Sequence, residues 1–135
     1  MKKGVTVIGA ILILLAIILG AFTAHALKAV LSEANLASFE TGVKYQMYMG
    51  IAILVLGLNY HKFRKKSFKL FYGIILSGTL LFSFSIYGLV WADYSMHLGL
   101  RKILGPITPF GGTLLITGWT IFIIHFLRQK DLSED

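Results

Sequence analysis

The chain has no cysteine, only 2 prolines and only 6 carboxylates among its 135 residues. Without cysteine there can be no disulfide, no thiolate metal ligand and no cysteine nucleophile. Charged residues make up 14% of the chain, against about 25% in a soluble domain. That shortage excludes a disordered chain and an ordinary soluble enzyme. The six carboxylates are Glu33, Glu40, Asp93, Asp131, Glu134 and Asp135, and none lies inside a long apolar run. Proton-coupled exporters of this size use a carboxylate within a membrane helix, so its absence counts against a multidrug exporter. H-E-x-x-H, Walker and G-x-S-x-G motifs are missing too. No catalytic residue, no metal site and no cofactor is expected, and the chain is not expected to be an enzyme.

What is abundant is apolar surface. Hydrophobic residues make up 56% of the chain, and the mean hydropathy is +0.77. Four runs stand out, at about 4–24, 42–60, 70–92 and 107–127. The first, Gly4 to Ala24, makes about 31 Å of helix at 1.5 Å per residue, matching a hydrocarbon core of about 30 Å. Open sheet edges are not viable in lipid, so each run is expected to be an α-helix. The expected fold is therefore all-α and integral to the membrane, one domain over residues 1–135, with four transmembrane helices in a compact bundle.

The net charge of +7 comes from 13 Lys and Arg residues. They fall between the apolar runs, which is the pattern of membrane topology and not of a nucleic-acid-binding face. Placing the N-terminus in the cytoplasm puts Lys2, Lys3, Lys62, Arg64, Lys65, Lys66, Lys69, Arg128 and Lys130 inside. Lys28, Lys44, Arg101 and Lys102 are then outside. Nine against four predicts that both termini are cytoplasmic. Lys2-Lys3, an apolar run and Ala24-His25-Ala26 also look like a signal peptide. A signal core spans about 7–15 residues, so an uncleaved first helix is expected instead.

Residues 25–44 are expected to form an outer loop with an interfacial helix, since Leu27, Val30, Leu31 and Ala34 recur at helical spacing. Ser32 has the chemistry of an N-cap for the second helix. Residues 61–69 form a basic inner loop and 128–135 a polar tail. In Gly105-Pro106-Ile107-Thr108-Pro109, Thr108 is expected to cap the fourth helix, with Pro109 at its first helical position.

Lipid gives helices no hydrophobic reason to associate, so small residues must let them approach. Ala16, Gly20 and Ala24 form a stripe at intervals of four. Each run also carries small residues seven apart: Gly9 and Ala16, Gly50 and Gly57, Gly78 and Ser85, Gly111 and Gly118. Seven-residue spacing suits left-handed packing. Ser77, Thr79, Ser83 and Ser85 lack a nearby base and are expected to bond across helices or to their own backbone. Tyr45, Tyr48, Tyr87, Trp91 and Tyr94 read as an interfacial aromatic belt. His25 and His97 lie toward one face, His61 and His125 toward the other. Two such pairs could bracket a haem, but no ligand spacing supports it, and they read as interfacial polar groups. The candidate outer polar cluster is His25, Glu40, Lys44, Gln46 and Tyr48, with Glu40 expected to pair with Lys44 or His25.

Three stretches resemble one family. Gly20-Ala21-Phe22-Thr23-Ala24-His25-Ala26-Leu27 is similar to its GAFGAHAL-type motif. Residues 36–48, ASFETGVKYQMY preceded by Leu36, match its ASFETGVxYQMY stretch. Residues 104–112 with Gly118-Trp119 are similar to its GPITPxGG…GW motif. The family is the small bacterial inner-membrane proteins of the YgdD/YwdK type. It often has His where this chain has Met49, and a small residue where it has Phe84. The resemblance implies a multi-pass protein of the bacterial cytoplasmic membrane with four helices, and supplies no activity. The expected function is structural or accessory, supporting membrane integrity or a partner complex; the alternative is a small homo-oligomeric transporter or channel. The expected partners are the lipid bilayer and a membrane protein or second copy of the chain, with no nucleic acid.

Overall fold

A computed structural model describes residues 1–128, and it is all-helical over them. The expected polar tail lies outside the described residues beyond Arg128. The elements are α1 (Lys3–Ala24), a 3-10 turn (Leu27–Ala29), α2 (Glu33–Leu58), a second 3-10 turn (Tyr60–Lys62), α3 (Lys65–Thr79), a π-helical turn (Leu80–Phe84), α4 (Ser85–Tyr94), α5 (Leu98–Leu104) and α6 (Ile107–Leu127). α3, the π turn and α4 run on as one span. Four stretches are thus long and apolar enough to cross a membrane.

Several boundaries differ from the sequence reading. α2 starts at Glu33 and not near residue 42, so no separate interfacial helix fills 25–44; a single 3-10 turn precedes α2. Glu40 and Lys44 mark where the chain meets the polar interface, but a helix needs only its cap to begin. The Ser32 hydroxyl supplies that cap, accepting from the Asn35 N–H at 3.2 Å. α3 starts at Lys65 and not at 70, leaving a much shorter basic turn. The stretch after Asp93 holds a helix, α5. Thr108 does not cap α6, which starts at Ile107 directly after Pro106; the Thr108 side chain is used elsewhere.

α4 ends by folding back on itself. The His97 N–H reaches the Ala92 carbonyl at 2.9 Å, and Met96 takes φ 59°, the left-handed conformation usually left to glycine in this closure. Met96 is 83% exposed, so it has little packing to lose. Met96→Gly is expected to raise thermal stability by about 0.5–1 kcal/mol, because the left-handed penalty for a side chain is about 1–2 kcal/mol and glycine's added chain entropy takes back part of it. A melting temperature at or below wild type would contradict this.

The spans pair as two hairpins, α1 against α2 and α3 against α6, joined where α2 meets α3, α4 and the π turn. Spacing of seven predicts the seams. A Cβ on Gly9 would lie 2.5 Å from the Leu54 nitrogen, and one on Gly57 2.6 Å from the Thr6 nitrogen. A Cβ on Gly50 would lie 3.1 Å from Leu12 and from Ile13, and Ala16 is 1% exposed. In the other hairpin Gly78 meets Leu115, Gly118 meets Ile74, and Gly111 lies against the backbone of Leu81 and Phe82. The stripe at intervals of four does not hold: Gly20 makes only one ordinary contact, with Val43, and Ala24 is exposed. Each step of four advances about 40° around a helix of 3.6 residues per turn, whereas seven falls back only about 20°. Two steps of four therefore leave the seam.

Between the hairpins, Val5, Leu12, Ile53, Leu56, Phe68 and Ile75 form the apolar core. It lies toward the end that carries Lys2 and the 60–65 turn, called here the basic end. The outward faces of α1 and α6 are apolar too, as at Leu14, 56% exposed, and Ile116, 71% exposed. That is the face a lipid-embedded helix shows its solvent.

Candidate functional site

At the other end lie all three described carboxylates, Glu33, Glu40 and Asp93; this is the carboxylate end. The elements around it position two features, a buried polar tie and an open groove.

The tie begins at Gln46, halfway along α2 and 0% exposed. Its amide nitrogen donates to the Leu12 carbonyl of α1 at 3.0 Å, and its amide oxygen accepts from the Tyr87 hydroxyl of α4 at 2.8 Å. A carbonyl can only accept, so the contact with Leu12 fixes which way the amide faces. One side chain thereby joins three helices. Gly42, one turn before Gln46, makes room for the Tyr87 ring: a Cβ there would sit 2.6 Å from the ring edge. Phe39 packs on the same ring at 4.7 Å between centroids.

A second tie crosses from α4 to α6. The Ser85 hydroxyl donates to the Phe82 carbonyl at 3.0 Å, inside the π turn, and lies 2.7 Å from the Thr108 hydroxyl. With its one proton on Phe82, Ser85 accepts from Thr108. The same Phe82 carbonyl also accepts from the backbone N–H of Ser85. Thr79 donates to Ile75 within its own helix at 2.7 Å. The buried Ser83 hydroxyl has no partner among the described residues.

The groove opens beside these ties. About 500 Å³ in volume, it runs between the start of α2, the end of α4 and the α5–α6 corner, with Asn35, Ser38, Thr41, Asp93, Arg101 and Thr108 on its walls. Arg101 and Asp93 pair across it at 2.7 Å, with 60% and 30% of their side chains exposed. A pair so exposed is screened by water, and Arg101→Ala is expected to cost no more than about 1 kcal/mol; a larger drop in melting temperature would mean that the pair is buried by something absent from the chain itself.

The five residues of the expected polar cluster do not gather. Gln46 turns inward to the tie. His25 is exposed and bonds its own turn, Nδ1 to the Ala21 carbonyl at 3.1 Å. Tyr48 is exposed, edge-on to Tyr45 at 6.0 Å. Glu40 and Lys44 are both exposed, and the ion pair found among the described residues is Arg101–Asp93. The expected Glu40 pairing is not formed: both side chains are exposed, where water competes for them. Glu40→Gln is therefore expected to leave the melting temperature unchanged. Met49, at the position where the resembling family often has His, accepts from the Trp119 indole at 3.4 Å. Sequence reasoning missed Tyr87 as the partner of Gln46, and the groove of Asn35, Ser38, Thr41 and Thr108. The one signal for Tyr87 was a tyrosine on a span of small residues. Among the described residues, no group of three or more His, Asp or Glu gathers as a metal site would require.

Comparison with known proteins places this geometry in a family. The family model described as protein of unknown function (DUF423) matches residues 19–112, a stretch that includes Gln46, Tyr87, the groove and the motif stretches at 20–27, 36–48 and 104–112, but not Gly118-Trp119. A UPF0382 membrane protein of Staphylococcus epidermidis is 35% identical over 90% of this chain and 93% of its own. One from Staphylococcus aureus is 36% identical over 87% and 90%, and one from Staphylococcus haemolyticus is 33% identical over 90% and 93%. No solved structure matches.

Proposed function

The chain belongs to the family of proteins of unknown function DUF423, and from that premise we propose that it is a non-enzymatic accessory protein of the bacterial cytoplasmic membrane, supporting membrane integrity or a partner complex. The observation that carries this reading is where the buried polar groups spend their hydrogen bonds. Gln46 bonds Leu12 and Tyr87, and Ser85 bonds Thr108, each across helices. Groups tied in this way hold the carboxylate end in one arrangement, as a surface presented to a partner needs, and are not left free to bind and release a transported solute. The motifs at 20–27, 36–48 and 104–112 support the closer kinship with proteins of the YgdD/YwdK type.

Crosslinking in cells from Asn35 or Ser38 in the groove tests the proposal, with native mass and flux measured on the purified protein in liposomes. Capture of a single membrane protein, with no flux, supports the accessory role. Solute flux from an oligomer would replace it with a transporter.

The excess of Lys and Arg at the basic end supports an orientation with both termini in the cytoplasm. Cysteines placed singly at Ser32 and Ser95 should react with an impermeant thiol reagent in intact cells. Those at Ser67 and at Ser133, the latter outside the described residues, should react only after lysis. Labelling of Ser67→Cys in intact cells would reverse the orientation. A mature mass lacking residues 1–26 would overturn the uncleaved first helix.

A further inference from the structure

We propose that the basic end of the bundle is a docking surface for the headgroups of acidic phospholipids. The fold gathers there cations that are far apart in the chain. The Lys2 N–H donates to the Gly57 carbonyl at 2.7 Å, and its ammonium lies 5.4 Å from the centre of the Tyr60 ring. That pins the N-terminal lysines, Lys2 and Lys3, beside the 60–65 turn with Lys62. The ring of Phe63 meets that of Phe126 at 5.5 Å, which brings the end of α6 and Arg128 to the same place. Arg64, Lys65, Lys66 and Lys69 complete the set, and all eight side chains are exposed.

None of these cations is matched by a described carboxylate. Glu33, Glu40 and Asp93 all lie at the opposite end. Counting the whole tail here as well, Lys130 against Asp131, Glu134 and Asp135, still leaves this end six positive charges in excess. The first turn of α3 holds no acidic residue. Lys65 and Lys69 stand four apart on that helix, a spacing at which like charges repel. So much unpaired positive charge calls for anions from outside the chain. In a protein that spans a bilayer, the anions at this depth are lipid phosphates. Basic residues next to a membrane helix each add about 1 kcal/mol of attraction to an anionic surface. The half-buried rings of Tyr60 and Phe63 stand behind them, held in place by packing on the core ring of Phe68. The proposal does not depend on which side of the membrane this end faces.

The test titrates phosphatidylglycerol or phosphatidylcholine into the detergent-solubilised protein and reads lipid bound by native mass spectrometry. Preferential retention of phosphatidylglycerol is expected, falling as salt is raised while phosphatidylcholine stays level. A Lys65→Gln, Lys66→Gln, Lys69→Gln triple should lose about fivefold of that preference per charge, about a hundredfold in all. The matching triple at the opposite end, Lys28→Gln, Lys44→Gln, Lys102→Gln, removes the same charge and should keep it. Equal retention of the two lipids, equal loss in both triples, or a preference insensitive to salt would each overturn the proposal. So would inorganic phosphate displacing the bound phosphatidylglycerol, since the surface would then recognise free phosphate. The salt series on the unaltered protein decides the matter even if a triple variant folds poorly.

Discussion

Gly9→Val and Gly111→Val, made separately, should each destabilise the purified protein more than any surface substitution. At both positions the neighbour is backbone. The Gly9 site faces the Leu54 nitrogen and the Gly50 carbonyl, and the Gly111 site faces the main chain of Leu81 and Phe82. A flexible side chain can swing away from a new methyl, but a helix backbone can yield only by moving the whole helix. Overpacking typically costs about 1–3 kcal/mol, occasionally more, and these two sites should reach or exceed the upper value because the entire seam must open. In lipid no hydrophobic force pulls the separated helices back together, since the bilayer covers the exposed faces as well as the partner did. Gly73→Ala is the control: nothing lies within 4 Å of a Cβ there, and alanine is the better helix former by about 1 kcal/mol. Thermal melts in one detergent compare the three. If Gly9→Val melts with wild type while Gly73→Ala does not, the helix seams are wrongly placed.

Gln46→Leu should be the costliest polar substitution. It strands the Tyr87 hydroxyl in a site with no other partner and removes the donor to Leu12. Interhelical hydrogen bonds in membranes contribute about 0.6 kcal/mol on average and up to about 1.7, while a stranded buried polar group costs about 1–3 kcal/mol. A loss of about 2 kcal/mol follows. Tyr87→Phe should cost about 1 kcal/mol, because it leaves the Gln46 oxygen unpaired but keeps its nitrogen on Leu12. Combined, the two should cost less than their sum by about 1 kcal/mol, since the double variant no longer carries the group that each single one strands. Strictly additive losses would mean that the 2.8 Å contact does not hold in the membrane.

The spans and their seams were legible in the sequence for a simple reason. Lipid demands an unbroken apolar helix, and close helices demand small residues at a fixed period. Both demands leave a mark within one run of residues. Helix ends were harder to read, because charge marks the edge of the membrane and a cap marks the edge of the helix; at α2 the two lie twelve residues apart, at Lys44 and Ser32. The polar cluster was misjudged for a related reason. Glu40, Lys44 and Tyr48 stand at intervals of four along one exposed side of α2, while Gln46 faces inward on another side. Its partner Tyr87 is 41 residues away and reaches it only after the π turn, which carries no local signal of its own. Thr108 looked like a cap because it precedes a proline, yet α6 had already begun and its hydroxyl was needed by Ser85.

The π turn has a consequence for how this chain can change length. Leu80–Phe84 takes up more residues per turn than the α-helix on either side. It works as a phase shifter within the third span, letting Gly78 face α6 on one side of it and Tyr87 face α2 on the other. Each α-helical residue turns the chain by about 100°, and the π turn absorbs about that much in its one extra residue. Losing one residue from this turn while it relaxes to α-helix would therefore leave Tyr87 facing Gln46, Ser85 facing Thr108 and Asp93 facing Arg101. The same deletion in the regular helix before Gly78 would turn everything beyond it by about 100° and break all three contacts at once. A relative one residue shorter at 80–84 would keep its two hairpins in register, and the turn is the one place in this span where length can change without moving the surface beyond it.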